Sequence, residues 1–195
     1  MAVNIDPSNM QFDEGGFQYK GTYYPFADVV HLGLKRVQKT YYIGGAKESN
    51  KLGTEEASSL GIELNSGEVQ QFLGKTNSPK EREAIDNAYS ILSQATFESR
   101  VAFYIEGANK RGYFVYSGFK FYPSRQVISL EEREFTLSNT NFLRGYGYIE
   151  LRSKNEGFLQ KMKRETLGSK TVINTLWDSD VIFPLLAHFF GLRWN

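Results

Sequence analysis

Cysteine is absent from this chain, and histidine occurs only at His31 and His188. Thiolate nucleophiles, disulfides, zinc–thiolate sites and iron–sulfur clusters are therefore excluded. Two isolated imidazoles make neither a metal cluster nor a hydrolytic triad. His31 lies in Val29-Val30-His31-Leu32-Gly33-Leu34, with Asp28 as its local acid, and reads as a strand residue on a sheet face. His188 reads as a packed or rim residue of an apolar helix. Carboxylates are the remaining candidates for bond-making chemistry. Asp178-Ser179-Asp180 has the spacing of a pair that could hold a divalent cation beside a nucleotide sugar, or serve a hydrolase or transferase. Its place at the entry to the last helix favours capping of free N–H groups instead. Glu131-Glu132-Arg133-Glu134 reads as a solvated turn, and a catalytic acid pair needs no sequence motif, so that alternative stays open. Gly44-Gly45-Ala46-Lys47 and Gly145-Tyr146-Gly147 lack the spacing of a phosphate-cradling loop. No catalytic residue, metal or cofactor is assigned, and a non-catalytic role carries the greater weight.

Basic residues are the other source of chemistry. Lys35, Arg36 and Lys39 form a small cluster. Arg152–Lys170 holds six cations (Arg152, Lys154, Lys161, Lys163, Arg164 and Lys170) against Glu156 and Glu165, a net charge of +4. Such a stretch can meet the phosphates of nucleic acid or of an anionic membrane, with Phe158 available for stacking. It can equally be a strand edge that lysines protect from aggregation.

The elements that must position these residues follow from pattern. Phe17-Gln18-Tyr19 and Thr22-Tyr23-Tyr24, joined by Lys20-Gly21, predict a hairpin. Val29–Leu34 and Val37–Ile43 predict further strand, and Gly44–Leu60 a long loop. Ile62-Glu63-Leu64 and Val69–Phe72 predict a second hairpin around Asn65-Ser66-Gly67. Ser78-Pro79-Lys80-Glu81 is a helix start, with Ser78 as cap and Pro79 at the first helical position. Ile85, Ala88, Tyr89, Leu92, Ala95, Thr96, Ser99 and Phe103 then describe one helical face, widened by Phe97, Val101 and Tyr104. The helix ends by Gly112. Strand pattern returns over Tyr113–Pro123, Glu134–Leu137, Tyr146–Arg152 and Phe158–Met162. Asp180–Gly191 reads as a short apolar helix with Pro184 in its first turn and Gly191 as its stop.

Two segments resemble one another. Phe17-x-Tyr19-x-Gly21 with Tyr24-Pro25 matches Phe114-x-Tyr116-x-Gly118 with Tyr122-Pro123, and Ile62-Glu63-Leu64-x-Ser66 matches Ile149-Glu150-Leu151-x-Ser153. Chance recurrence of aromatic–glycine hairpins and a true duplication both account for this. A strand meander closed by an amphipathic helix, with the Phe17–Leu32 stretch through Tyr24-Pro25-Phe26-Ala27-Asp28-Val29, resembles bacterial pleckstrin-homology-like domains. The resemblance covers 15–111 and, more loosely, 112–195. It implies a binding scaffold, repeated in tandem if the two segments are a true duplication. The first hairpin turn carries one lysine, Lys20, where lipid-binding members carry a basic signature.

The 195 residues are 41% hydrophobic and 15% aromatic, with 23 basic and 22 acidic side chains. That length buries a core without staples, and the near-neutral balance argues against a dedicated nucleic-acid coat. The expected fold class is α+β: antiparallel strand meanders, a long central helix and a short C-terminal helix. The expected organisation is a loose arm over 1–14, a strand-rich unit with the long helix over 15–111, and a second over 112–195. The N-terminus lacks a secretory pattern, and the longest apolar run, Val181–Phe190, falls short of the roughly 20 residues that span a bilayer. A cytoplasmic location is expected. The expected function is a binding module for a protein or peptide. Electrostatic binding of nucleic acid or anionic lipid through Arg152–Lys170, and a carboxylate-dependent hydrolase or transferase, are the alternatives.

Overall fold

The computed structural model describes residues 9–43, 50–74, 78–155, 157 and 171–194, with the backbone alone at 38–43, 50–55 and 71–74. The fold is α+β. Thirteen strands lie in four antiparallel sheets among the described residues, together with a long helix, α1 (Pro79–Arg111), and a short one, α2 (Ser179–Phe190). The chain forms two compact units, Met1–Ser99 and Arg100–Asn195. Their division falls inside α1, not at 111/112. Buried α1 residues through Leu92 join the first core, whereas Tyr104 joins the second.

In the first unit, β1 (Gln11–Phe12), β2 (Gly16–Tyr19) and β3 (Thr22–Pro25) make one sheet. A second sheet holds β4 (Val29–Ile43), β5 (Asn50–Leu64) and β6 (Val69–Gly74). Phe17, Tyr19, Leu32, Leu60 and Ile62 pack with Ile85, Ala88 and Leu92 of α1. Two expectations need correction. Residues 9–14 are not a loose arm, because Met10 is buried and Gln11-Phe12 pair with Phe17-Gln18. Residues 50–60 are not loop: β5 pairs with β4 from Ile43↔Asn50 back to Val29↔Leu64. That segment includes Asn50, Lys51, Gly53, Glu55, Glu56 and Ala57, whose weak strand preference is overridden by backbone pairing to β4. Residues 1–8 and 44–49 lie outside the described residues.

In the second unit, β7 (Phe114–Tyr116), β8 (Phe119–Tyr122), β9 (Val127–Leu130) and β10 (Arg133–Thr136) form a four-stranded meander. β11 (Thr140–Gly145), β12 (Tyr148–Ser153) and β13 (Thr171–Asn174) form a three-stranded one, and α2 follows. The register Phe114↔Phe121↔Ile128↔Phe135 runs as one row across the first of these sheets. It packs with Ile149, Leu151, Ile173, Leu186 and Phe190. β9, β11 and β13 were not expected, and the expected strand Phe158–Met162 lies outside the described residues. Pro184 lies inside α2, in its second turn, and Gly191 ends the helix in the left-handed region (φ 64°).

The matched segments adopt matching local structure. Lys20-Gly21 (φ 48° and 80°) and Ser117-Gly118 (φ 50° and 80°) both form two-residue turns with positive φ throughout, the turn whose twist suits a hairpin. Phe17 and Phe114, Tyr19 and Tyr116, Ile62 and Ile149, and Leu64 and Leu151 are all buried. Each Tyr-Pro leaves its strand into a single 3-10 turn, Phe26–Asp28 or Pro123–Arg125. Ser78 caps α1 as expected, its Oγ accepting from Glu81 N at 3.3 Å.

Candidate functional site

The nine basic residues singled out above divide between the two units, three in the first and six in the second, and four of the six lie outside the described residues. Lys35 and Arg36 are exposed on β4, where Arg36 pairs with Asp86 of α1 at 2.9 Å. Lys39 stands opposite Glu55 in the β4–β5 register. Arg152, half-buried on β12, donates to Glu150 Oε1 at 3.2 Å. Lys154 Nζ donates to the Leu137 carbonyl. Lys161, Lys163 and Arg164, together with Phe158 and Lys170, lie outside the described residues. His31 is half-buried opposite Glu63, and His188 is exposed with its ring against Phe189. Glu131 and Glu132 are exposed in the β9–β10 turn, and Glu134 pairs with Arg125 at 2.8 Å. Among the described residues, no group of three or more His, Asp or Glu could hold a metal, and no helix is long and apolar enough to cross a membrane.

Asp178 and Asp180 do not cap α2 with their side chains. Asp178 takes the N-cap position in a left-handed conformation (φ 47°), and only its carbonyl receives helix donors, Val181 N at 3.0 Å and Ile182 N at 2.7 Å. Its carboxylate turns inward. Oδ1 accepts from Arg100 Nη1 at 2.8 Å and Oδ2 accepts from Tyr104 Oη at 2.7 Å. Arg100 also holds Asp180 through two bonds, Nη1 to Oδ1 at 2.9 Å and Nη2 to Oδ2 at 2.6 Å. The side chains of Arg100 and Asp178 are 0% exposed. Tyr116 Oη donates to the Trp177 carbonyl, so two tyrosines tether the turn that starts α2.

Sequence reasoning placed Ser99 and Phe103 on the buried face of α1. The structure instead continues that face through Thr96, Arg100 and Tyr104 in steps of four. An arginine in a core is intelligible only with its acids in view, and these lie 78 and 80 residues away. Two carboxylates against one guanidinium leave an excess of negative charge, which the positive end of α2 offsets. The cluster joins helix to helix and leaves no buried charge unpaired, which is structural chemistry.

Burial first, then the Asp178 charge and hydrogen bond, push the Tyr104 phenol far above its ordinary pKa. Tyr104 thus keeps its proton when folded, whereas the unfolded chain releases it near about pH 10. A raised folded-state pKa contributes stability that is fully present below the unfolded value and is lost as pH rises past it. Urea titrations should show stability falling above about pH 10. Tyr104→Phe should flatten that decline while costing about 1–3 kcal/mol at neutral pH, because the buried Asp178 carboxylate loses the Tyr104 hydrogen bond. An alkaline limb unchanged by the substitution contradicts this assignment.

A second arrangement is open to ligands. Among the described residues β11 pairs with β12 alone, so its other edge presents backbone N–H and C=O groups there. Asn141, Leu143 and Arg144 on it are exposed, Leu143 by 39%. The Arg144 guanidinium lies over the Phe183 ring of α2, 4.2 Å from its centroid. Phe183 in turn meets the Trp194 ring edge-on, at 5.1 Å. Arg144 has no carboxylate partner among the described residues, and the Trp194 indole N–H is buried without an acceptor. Hence an unpaired strand edge, a cation and an aromatic pair meet along one margin of the second unit. Sequence reasoning missed this because β11, Thr-Asn-Phe-Leu-Arg-Gly, alternates poorly and its edge status depends on strand order.

Comparison with protein families, with curated proteins and with solved structures found no match to this chain.

Proposed function

We propose that the second unit is a peptide-binding module which takes an extended segment of a partner protein onto the edge of β11, beside α2. The observation that carries this reading is the stacking of Arg144, on a strand at the sheet's edge among the described residues, against Phe183 of the neighbouring helix. Strand addition supplies affinity through main-chain hydrogen bonds, and alternate side chains supply specificity. Side chains on the helix side of the added strand meet Arg144, Phe183 and Trp194. The favoured segment therefore carries an acidic residue two positions from an apolar one. The order of elements, two antiparallel meanders followed by a closing helix, is the basis for including a pleckstrin-homology-like scaffold in this proposal.

Selection from a displayed library of random peptides tests it. Recovered peptides should be acidic–apolar, should slow hydrogen exchange across Thr140–Gly145, and should bind roughly tenfold more weakly to Arg144→Glu, the loss of about 1.4 kcal/mol expected when a charge contact is reversed. Peptides that protect other segments, or a selection that yields no binder, sink the proposal.

A further inference from the structure

The outer face of the four-stranded sheet carries a cluster that the β11 edge does not use. Gly112, with φ +77°, ends α1 and turns the chain so that Tyr113 enters the sheet beside Tyr122. Their rings are 5.2 Å apart and inclined by 43°. Both tyrosines are half-buried, and three exposed cations lie over them. Arg111 and Lys120 sit 5.6 Å and 5.3 Å from the Tyr113 centroid, and Arg125 sits 5.1 Å from that of Tyr122. Arg125 is paired with Glu134, but neither Arg111 nor Lys120 has a carboxylate partner among the described residues. The register Val115↔Lys120↔Ser129↔Glu134 places Lys120 on the face opposite the Phe114–Phe121–Ile128 core row.

We infer that this face is a binding site for single-stranded nucleic acid, with Tyr113 and Tyr122 as the stacking platform and Arg111, Lys120 and Arg125 as phosphate ligands. A nucleotide chain uses both halves of the cluster: every base offers a π-face to the tyrosines, and the backbone offers anions to the cations. An acidic peptide would satisfy the cations and leave the rings unused. A membrane surface is disfavoured because the rings lie within a sheet face and do not protrude as a wedge. The cations now resting on the rings are exposed and flexible, so a base displaces them toward its own phosphates.

Fluorescence anisotropy of the full chain with labelled single-stranded DNA and RNA of about 12 nucleotides tests the inference. Binding should weaken steeply between about 50 mM and about 200 mM salt. Arg111→Glu with Lys120→Glu should reduce affinity at least about tenfold. Tyr113→Ala with Tyr122→Ala should do the same, while the two Tyr→Phe changes, which keep the rings, should leave it within about twofold. If the alanine pair unfolds the unit by circular dichroism, the charge pair, on exposed side chains, decides the matter. Absent binding, binding untouched by the charge pair, or binding to phosphatidylserine vesicles in preference to the oligonucleotides overturns the inference. The peptide-edge variant Arg144→Glu serves as the control that should retain oligonucleotide binding.

Discussion

Arg100→Met should destabilise the protein by about 3–5 kcal/mol, the cost expected when one partner of a buried ion pair is removed and the other is stranded. Methionine fills much of the same volume, so the loss does not come from a cavity. It comes from Asp178, which is 0% exposed and loses its arginine while keeping the Tyr104 hydroxyl, and from Asp180, which loses the two arginine bonds described above. A loss of that size is a large fraction of the roughly 5–15 kcal/mol that holds a domain folded. Urea denaturation followed by circular dichroism measures it. Adding Asp178→Asn and Asp180→Asn to Arg100→Met should recover part of the loss, because neutral amides no longer need a cation. A cost below about 1 kcal/mol, or no recovery in the triple variant, means that water rather than arginine satisfies these carboxylates.

Phe121→Ala should cost a similar amount, about 3–5 kcal/mol, for a different physical reason. Phe121 is 0% exposed, stacks on Phe114 at 4.8 Å with parallel rings, and meets Phe190 of α2 edge-on at 6.1 Å. Truncation removes the ring's transfer energy and leaves a cavity among neighbours held by two sheets and a helix. Lys120→Ala, one position away and on the opposite face, should shift stability by no more than about 0.5 kcal/mol. Equal effects at the two positions would disprove the register that points Phe121 inward. No second substitution in a polar partner should rescue Phe121→Ala, which separates it from the Arg100 case.

Much of the fold was readable because it rests on local chemistry. Lys20-Gly21 and Ser117-Gly118 announce hairpins, since glycine at the second turn position accepts positive φ. Ser78-Pro79 marks the start of α1, and Gly191 the end of α2, through capping that involves only adjacent residues. β5 shows the opposite case. Residues 50–57 have no strand signature and become strand because β4 offers backbone partners along its length. The buried face of α1 was readable through Thr96 and failed at Arg100, where burial depends on acids remote in sequence.

The candidate sites were less readable than the fold. Basic residues stand out by type, but Arg36 and Arg152 already have carboxylate partners, and type alone does not show that. Tyr113 and Tyr122 were visible only as strand aromatics, because their pairing is a cross-strand contact. Arg144 was unremarked because its meaning comes from Phe183, on a different element.

By itself, then, the amino-acid order determined the α+β class, the hairpin turns, the bounds of both helices to within a residue or two, and the exclusion of thiol chemistry. Those are matters of side-chain type and of backbone preference over a few neighbours. Tertiary structure alone decided which strands are edges, that Arg100 is a core residue, and that Tyr113 and Tyr122 share one face. Each of these depends on groups far apart along the chain, whose meeting is set by the packing of whole elements and leaves no periodic mark in the sequence.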